Sequence, residues 1–124
     1  MIELKEVSFT DLLPFVEDFK KHSKAYEPPP NEAEAVGIFK ENELIGYFIL
    51  AAYDTYLEIN QGYLKPEYRH KNLSKECVRL VEYLAKKLEY KQILLCTQSR
   101  FGAYVPFMKD MGFKPRKLVF GKEI

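Results

Sequence analysis

Tryptophan is absent, cysteine and histidine occur twice each, and the two signs of charge balance to a net +1. Each scarcity excludes something. Without a broad basic surplus there is no field of the kind nucleic-acid binders use, so a nucleic-acid partner is not expected. Cys77 lies in a helical pattern and Cys96 in an apolar run, and both read as packed thiols rather than a disulfide or a metal pair. His22, on a charged helix end, reads as solvent-facing, and no His/Cys cluster exists to hold a metal. No apolar run approaches the ~20 residues of a membrane span. The N-terminus lacks the charged-then-apolar layout of a signal peptide, so a cytoplasmic protein with no membrane partner is the expectation. A length of 124 residues suits a single domain, residues 1–124, as monomer or homodimer.

What is present is periodic. Met1 to Phe9 alternates as a first strand. Thr10 and Asp11 provide a cap and an acidic first turn for a helix whose face is Leu12, Phe15, Val16 and Phe19, ending near Lys24. Tyr26 to Asn31, with three consecutive prolines, reads as a stiff linker. Runs at 35–40, 44–53 and 55–64 form an antiparallel meander, the first two joined by Glu41-Asn42-Glu43. Gln61-Gly62 interrupts the third run as a bulge or a close backbone approach does.

Residues Tyr63 to Ser74 form a strand-turn-helix corner. Beyond it Leu73, Cys77, Leu80, Val81, Leu84 and Leu88 recur at helical spacing, with charged residues on the opposite face. The opening amides of a helix have no internal partner and welcome an anion. Lys65, Arg69, His70, Lys71 and Lys75 surround this one, which suits a phosphate ligand. Gln92 to Thr97 is an apolar run, predicted to be a strand parallel to its predecessor and buried on both faces. A last helix carries Tyr104, Phe107, Met108 and Met111 and stops at Gly112, and a terminal strand follows from Phe113. The predicted order is β-α-β-β-β-α-β-α-β, a mixed α/β plan with one central sheet flanked by helices.

Pro66-Glu67-Tyr68-Arg69 followed by a helix resembles the pyrophosphate loop of the GNAT acyltransferases, the acetyl-CoA-dependent N-acetyltransferases. That family's pattern is Arg/Gln-x-x-Gly-x-Gly/Ala. Arg69 keeps its first position, while Asn72 and Ser74 replace the glycines. Asn tolerates a left-handed backbone best after Gly, which would preserve the loop. The same residues also read as an ordinary basic helix start with Asn72 as N-cap. Phe107 to Phe113 is similar to the family's Phe-Tyr-x-Lys-x-Gly-Phe segment, with Met108 where Tyr is usual. Element order also agrees, less a second helix and a final strand.

The resemblance implies acetyl-CoA as cofactor. Its pyrophosphate would sit on Arg69, His70, Lys71, Asn72, Leu73, Ser74 and Lys75, and its pantetheine arm on the strand backbone of Tyr63, Leu64 and Lys65 where two strands splay apart. Glu58, eleven residues before the loop arginine, occupies the position of the family's general base. Desolvation by neighbouring Tyr and Leu side chains favours proton uptake by such a carboxylate. A thioether donates no proton, so Tyr104, one helical turn before Met108, is the candidate acid. Two functions fit: an acetyl-CoA-dependent N-acyltransferase with an unidentified amine acceptor, or a binding module on the same fold that has lost catalysis.

Overall fold

The computed structural model describes residues 1–22, 29, 32–69, 71–95, 109–114 and 122. Among the described residues five strands make one sheet in the order β1-β2-β3-β4-β5: β1 (Ile2–Glu6), β2 (Glu34–Lys40), β3 (Glu43–Ala52), β4 (Tyr56–Leu64) and β5 (Gln92–Leu95). The first four pair antiparallel and β5 pairs parallel with β4, as a helical crossover requires. The helices described along their whole length are α1 (Leu13–His22) and α2 (Lys71–Lys87), each preceded by a short 3-10 turn, Phe9–Leu12 and Pro66–Tyr68 respectively.

Local chemistry explains the boundaries. The first helical segment is capped at Ser8, two residues earlier than Thr10 and Asp11 suggested. The Ser8 hydroxyl accepts from the Asp11 N–H at 3.3 Å, and the Asp11 carboxylate accepts from the Ser8 N–H at 3.2 Å. Glu41 and Asn42 both take positive φ, 50° and 69°, and so form a two-residue turn that matches the strand twist. The helix α2 stops where Glu89 turns left-handed at φ 66°: its N–H reaches Lys86 O and that of Tyr90 reaches Ala85 O. Leu88, expected on the buried face, lies past Lys87, the last residue of α2, and is exposed.

The two helices cover opposite faces of the sheet. Leu73, Cys77, Val81 and Ala85 of α2 pack on Val36, Ile38, Phe48, Leu50, Leu57 and Ile59. On the other face Leu12 and, from α1, Phe15, Val16 and Phe19 pack around Ala35, Tyr47, Ile49 and Tyr63. Residues Ile93 to Leu95 are half-buried, short of the full burial predicted for this strand, because β4 is the only strand beside β5 among the described residues. Lys109 and Asp110 end a helix, and Gly112 terminates it at φ 87°. The rest of the predicted last helix, the terminal strand beyond Lys114 and most of the proline linker lie outside the described residues. No helix among those described is long and apolar enough to cross a membrane.

Candidate active site

The site is built on β4, whose registry with β3 shifts once. Ile49 pairs with Gln61 and Leu50 with Ile59, which leaves Asn60 as an extra, bulged residue. The predicted irregularity therefore sits one residue before Gln61-Gly62, and Gly62 lies over the Phe48 ring, where a Cβ would stand 3.2 Å from ring carbons. The bulge decides which side chains share a face. Leu57 and Ile59 point to α2, so Glu58 points to the α1 side, opposite Ala51. In an unbroken strand Gln61 and Tyr63 would then join Leu57 and Ile59. One extra residue instead turns Gln61 and Tyr63 to the α1 face, beside Glu58.

A cleft of about 310 Å³ opens on this face. Phe9, Leu12, Leu13, Val16 and Lys20 form one wall, with Ile49 and Gln61 from the sheet opposite and Pro29 also bordering it. The Tyr47 hydroxyl donates to Gln61 Oε1 and holds that amide in place. Half-buried Glu58 accepts from Asn60 Nδ2 at 3.3 Å, so the bulged residue also orients the carboxylate.

The corner leading into α2 is a separate construction. Pairing of β4 with β5 runs from Tyr56↔Gln92 to Ile59↔Leu95, and among the described residues the stretch from Asn60 to Leu64 has only β3 beside it. The Lys65 N–H is bonded to Ile45 O of β3 at 2.9 Å, so by strand alternation the polar backbone groups of Leu64 face the other edge. There Arg69 Nε donates to Leu64 O at 2.6 Å. Helix α2 starts at Lys71, which places Asn72 and Ser74 inside its first turn. Asn72 is thus neither a left-handed loop residue nor the N-cap, both of which the sequence allowed. Leu73 is buried in the core, and its contribution to an anion site is limited to its backbone.

The expected ring of cations is largely paired. Lys65 lies 3.5 Å from Glu43, Arg69 3.9 Å from Asp18 of α1, and Lys75 2.7 Å from Asp110. The Arg69 guanidinium also stacks over Tyr63, 5.0 Å from the ring centroid. Tyr63 in turn donates its hydroxyl to Asp18. Its pKa is pushed up to about 12, first by burial and then by the hydrogen bond and negative charge of Asp18, with Arg69 opposing in part. Burial likewise pushes the Cys77 thiol up to about 12, which suits an inert core residue. His70, Cys96, Tyr104 and Met108 lie outside the described residues, as does the side chain of Lys71.

The sequence profile of the Acetyltransferase (GNAT) family matches residues 3–113. The chain belongs to the GNAT acetyltransferase family. Solved structures agree on the fold. The Bacillus subtilis protein YycN, assigned to the acetyltransferases, superposes with a TM-score of 0.78 at 14% identity, over 100% of this chain and 99% of its own. A ribosomal-protein-alanine N-acetyltransferase from Brucella melitensis biovar Abortus 2308 gives 0.72 at 13% identity, over 99% of each chain. The aminoglycoside N-acetyltransferase AAC(6')-Iy, solved in complex with CoA, gives 0.70 at 11% identity, over 99% of this chain and 95% of its own. Comparison with curated proteins yields no match.

Asn60 and Asp18 are the site residues that sequence reasoning passed over, and Gln61 was read there only as part of a bulge. The run Asn60-Gln61-Gly62 in a β-rich stretch was the available signal for the bulge. Nothing in the sequence pointed to Asp18, which is one of several charged residues on α1.

Proposed function

We propose that this GNAT protein transfers an acetyl group from acetyl-CoA to the nitrogen of an amine, with Glu58 as the base, directly or through a water, and Tyr104 as the candidate acid. The observation that carries the reading is the Asn60 bulge, which sets Gln61 and Tyr63 beside Glu58 on the face of the sheet that holds the cleft while the next residues of β4 turn backbone toward the opposite edge. The residues present fit a CoA-type ligand. The first-turn amides of the 17-residue α2, from Lys71 to Ser74, would take the pyrophosphate, and the Leu64 backbone with its neighbours Tyr63 and Lys65 would line the pantetheine arm. Bound there, the cofactor supplies an activated acyl group as a thioester.

Lys65 and Arg69 hold their carboxylates at the surface, at 3.5 and 3.9 Å. Exposed pairs of this kind are worth roughly 0–1 kcal/mol, so a polyanionic ligand can recruit these cations. A second reading, a GNAT fold kept for binding alone, is favoured by the same pairs, since Arg69 already serves the fold. Calorimetry with acetyl-CoA separates the two. The acyltransferase reading expects binding that weakens with added salt and release of CoA thiol when an accepted amine is present. No heat and no thermal shift at millimolar acetyl-CoA would leave the binding-module reading.

A further inference from the structure

We infer that Asn60 is a positioning residue for the transfer: its side-chain amide holds the Glu58 carboxylate at the angle that receives the amine proton, and its contribution to the rate passes through Glu58. This inference rests on the acyltransferase reading and adds a residue to its machinery. Glu58 points to the α1 side of the sheet, and the 3.3 Å bond from Asn60 Nδ2 to Glu58 Oε1 requires Asn60 to point there too. Asn60 and Gln61 are then consecutive residues on one face, an arrangement that a regular strand forbids and a bulge creates. Their partners differ. Gln61 accepts from Tyr47 on the neighbouring strand and borders the cleft, whereas Asn60 reaches back along its own strand to the carboxylate.

The backbone does not call for asparagine at this point. Some bulges need a left-handed residue, which favours Gly or Asn, but the described non-glycine residues with positive φ are Glu41, Asn42 and Glu89. Asparagine is also poorly suited to a strand, and a half-buried amide is costly without a partner. What Asn60 supplies is an N–H donor two positions from a carboxylate on the same face. Glutamate carries three side-chain torsions, and each anchored oxygen narrows the directions its carboxylate takes. At 3.3 Å the bond is longer than the roughly 2.9 Å usual for N–H to oxygen, so it limits rotation while costing the base little of its proton affinity. In the transfer, the amine nitrogen bonds the acetyl carbon, the carbon–sulfur bond breaks with its electron pair leaving on sulfur, and the amine proton passes to the Glu58 carboxylate, directly or through a water. Asn60 exchanges no proton in this sequence.

The test begins without an acceptor. The side-chain amide NMR signals of Asn60, followed from about pH 7 to pH 4 where glutamates begin to take up protons, should shift in the wild-type protein and stay flat in Glu58→Gln. The same response in both proteins overturns the pairing. Acetyl-CoA is then supplied with 2-phenylethylamine, spermidine, kanamycin or an alanyl peptide, and the fastest acceptor serves for kinetics. Asn60→Ala and Asn60→Leu, the second keeping the branched shape without the donor, should each lower kcat roughly tenfold with the KM for acetyl-CoA unchanged. In the Glu58→Gln background the same substitutions should lower kcat less than about twofold, because the group they position is already gone. A loss that recurs in full in that background, or no loss in the wild-type background, overturns the positioning role and leaves the acyltransferase reading intact. If the Asn60 amide follows Glu58 yet none of the four amines is acetylated, the acyltransferase reading falls and the positioning role falls with it.

Discussion

Replacing Arg69 by Ala should destabilise the protein in the complete absence of cofactor. The family motif assigns this residue to a ligand loop, but its side chain joins three parts of the fold: Leu64 O at the end of β4, the Tyr63 ring and Asp18 on α1. A charge-assisted bond to a carbonyl nets about 1.5 kcal/mol when shielded, and less for this side chain, which is 49% exposed. The stacking on Tyr63 adds about 0.5 kcal/mol, and the 3.9 Å ion pair adds little at the surface. A loss of about 1.5 kcal/mol lowers the melting temperature of a chain this size by about 6 °C. Arg69→Lys, which keeps the charge without the planar fork, should lose about half as much. Thermal unfolding of the three proteins in cofactor-free buffer is the assay. An Arg69→Ala midpoint within about 1 °C of wild type would refute the argument and return Arg69 to a purely ligand-binding role.

Glu58→Gln should lower kcat roughly a hundredfold or more while leaving acetyl-CoA affinity nearly unchanged, as measured by steady-state kinetics beside calorimetry; equal losses in both would make Glu58 structural. Gly46→Ala should cost about 3 kcal/mol or prevent folding, because a Cβ there would stand 2.2 Å from the Tyr63 carbonyl oxygen and neither strand can yield cheaply; denaturant midpoints measure it. At alkaline pH the folded state keeps protons on Tyr63 and Cys77 that the unfolded chain releases near 10 and 9, so stability is complete below pH 9 and falls as pH rises toward 12. Tyr63→Phe should flatten that fall above pH 10, and an unchanged slope in pH-dependent denaturation would exclude Tyr63 as its source.

Element type and order were legible in the chain because they rest on local periodicity. The repeat of Leu73, Cys77 and Val81 specified a helix with one buried face, and the crossover it makes dictated that β5 run parallel to β4. The GNAT family itself was legible in the same corner, through Arg69 and its distance from the Phe107–Phe113 segment, and the family profile over residues 3–113 agrees.

Tertiary structure alone decided which groups meet. A strand's pattern has period two, so whether Glu58 shares a face with Gln61 and Tyr63 depends on a single unpaired residue, and pairing with β3 is what left Asn60 unpaired. The cations of the corner could be counted in the sequence, but their partners Glu43, Asp18 and Asp110 come from β3, α1 and the segment before Gly112. Charge pairing across such distances in the chain carries no local signal. It is set by how the helices seat on the two sheet faces, and that seating makes Arg69 a tie between β4 and α1.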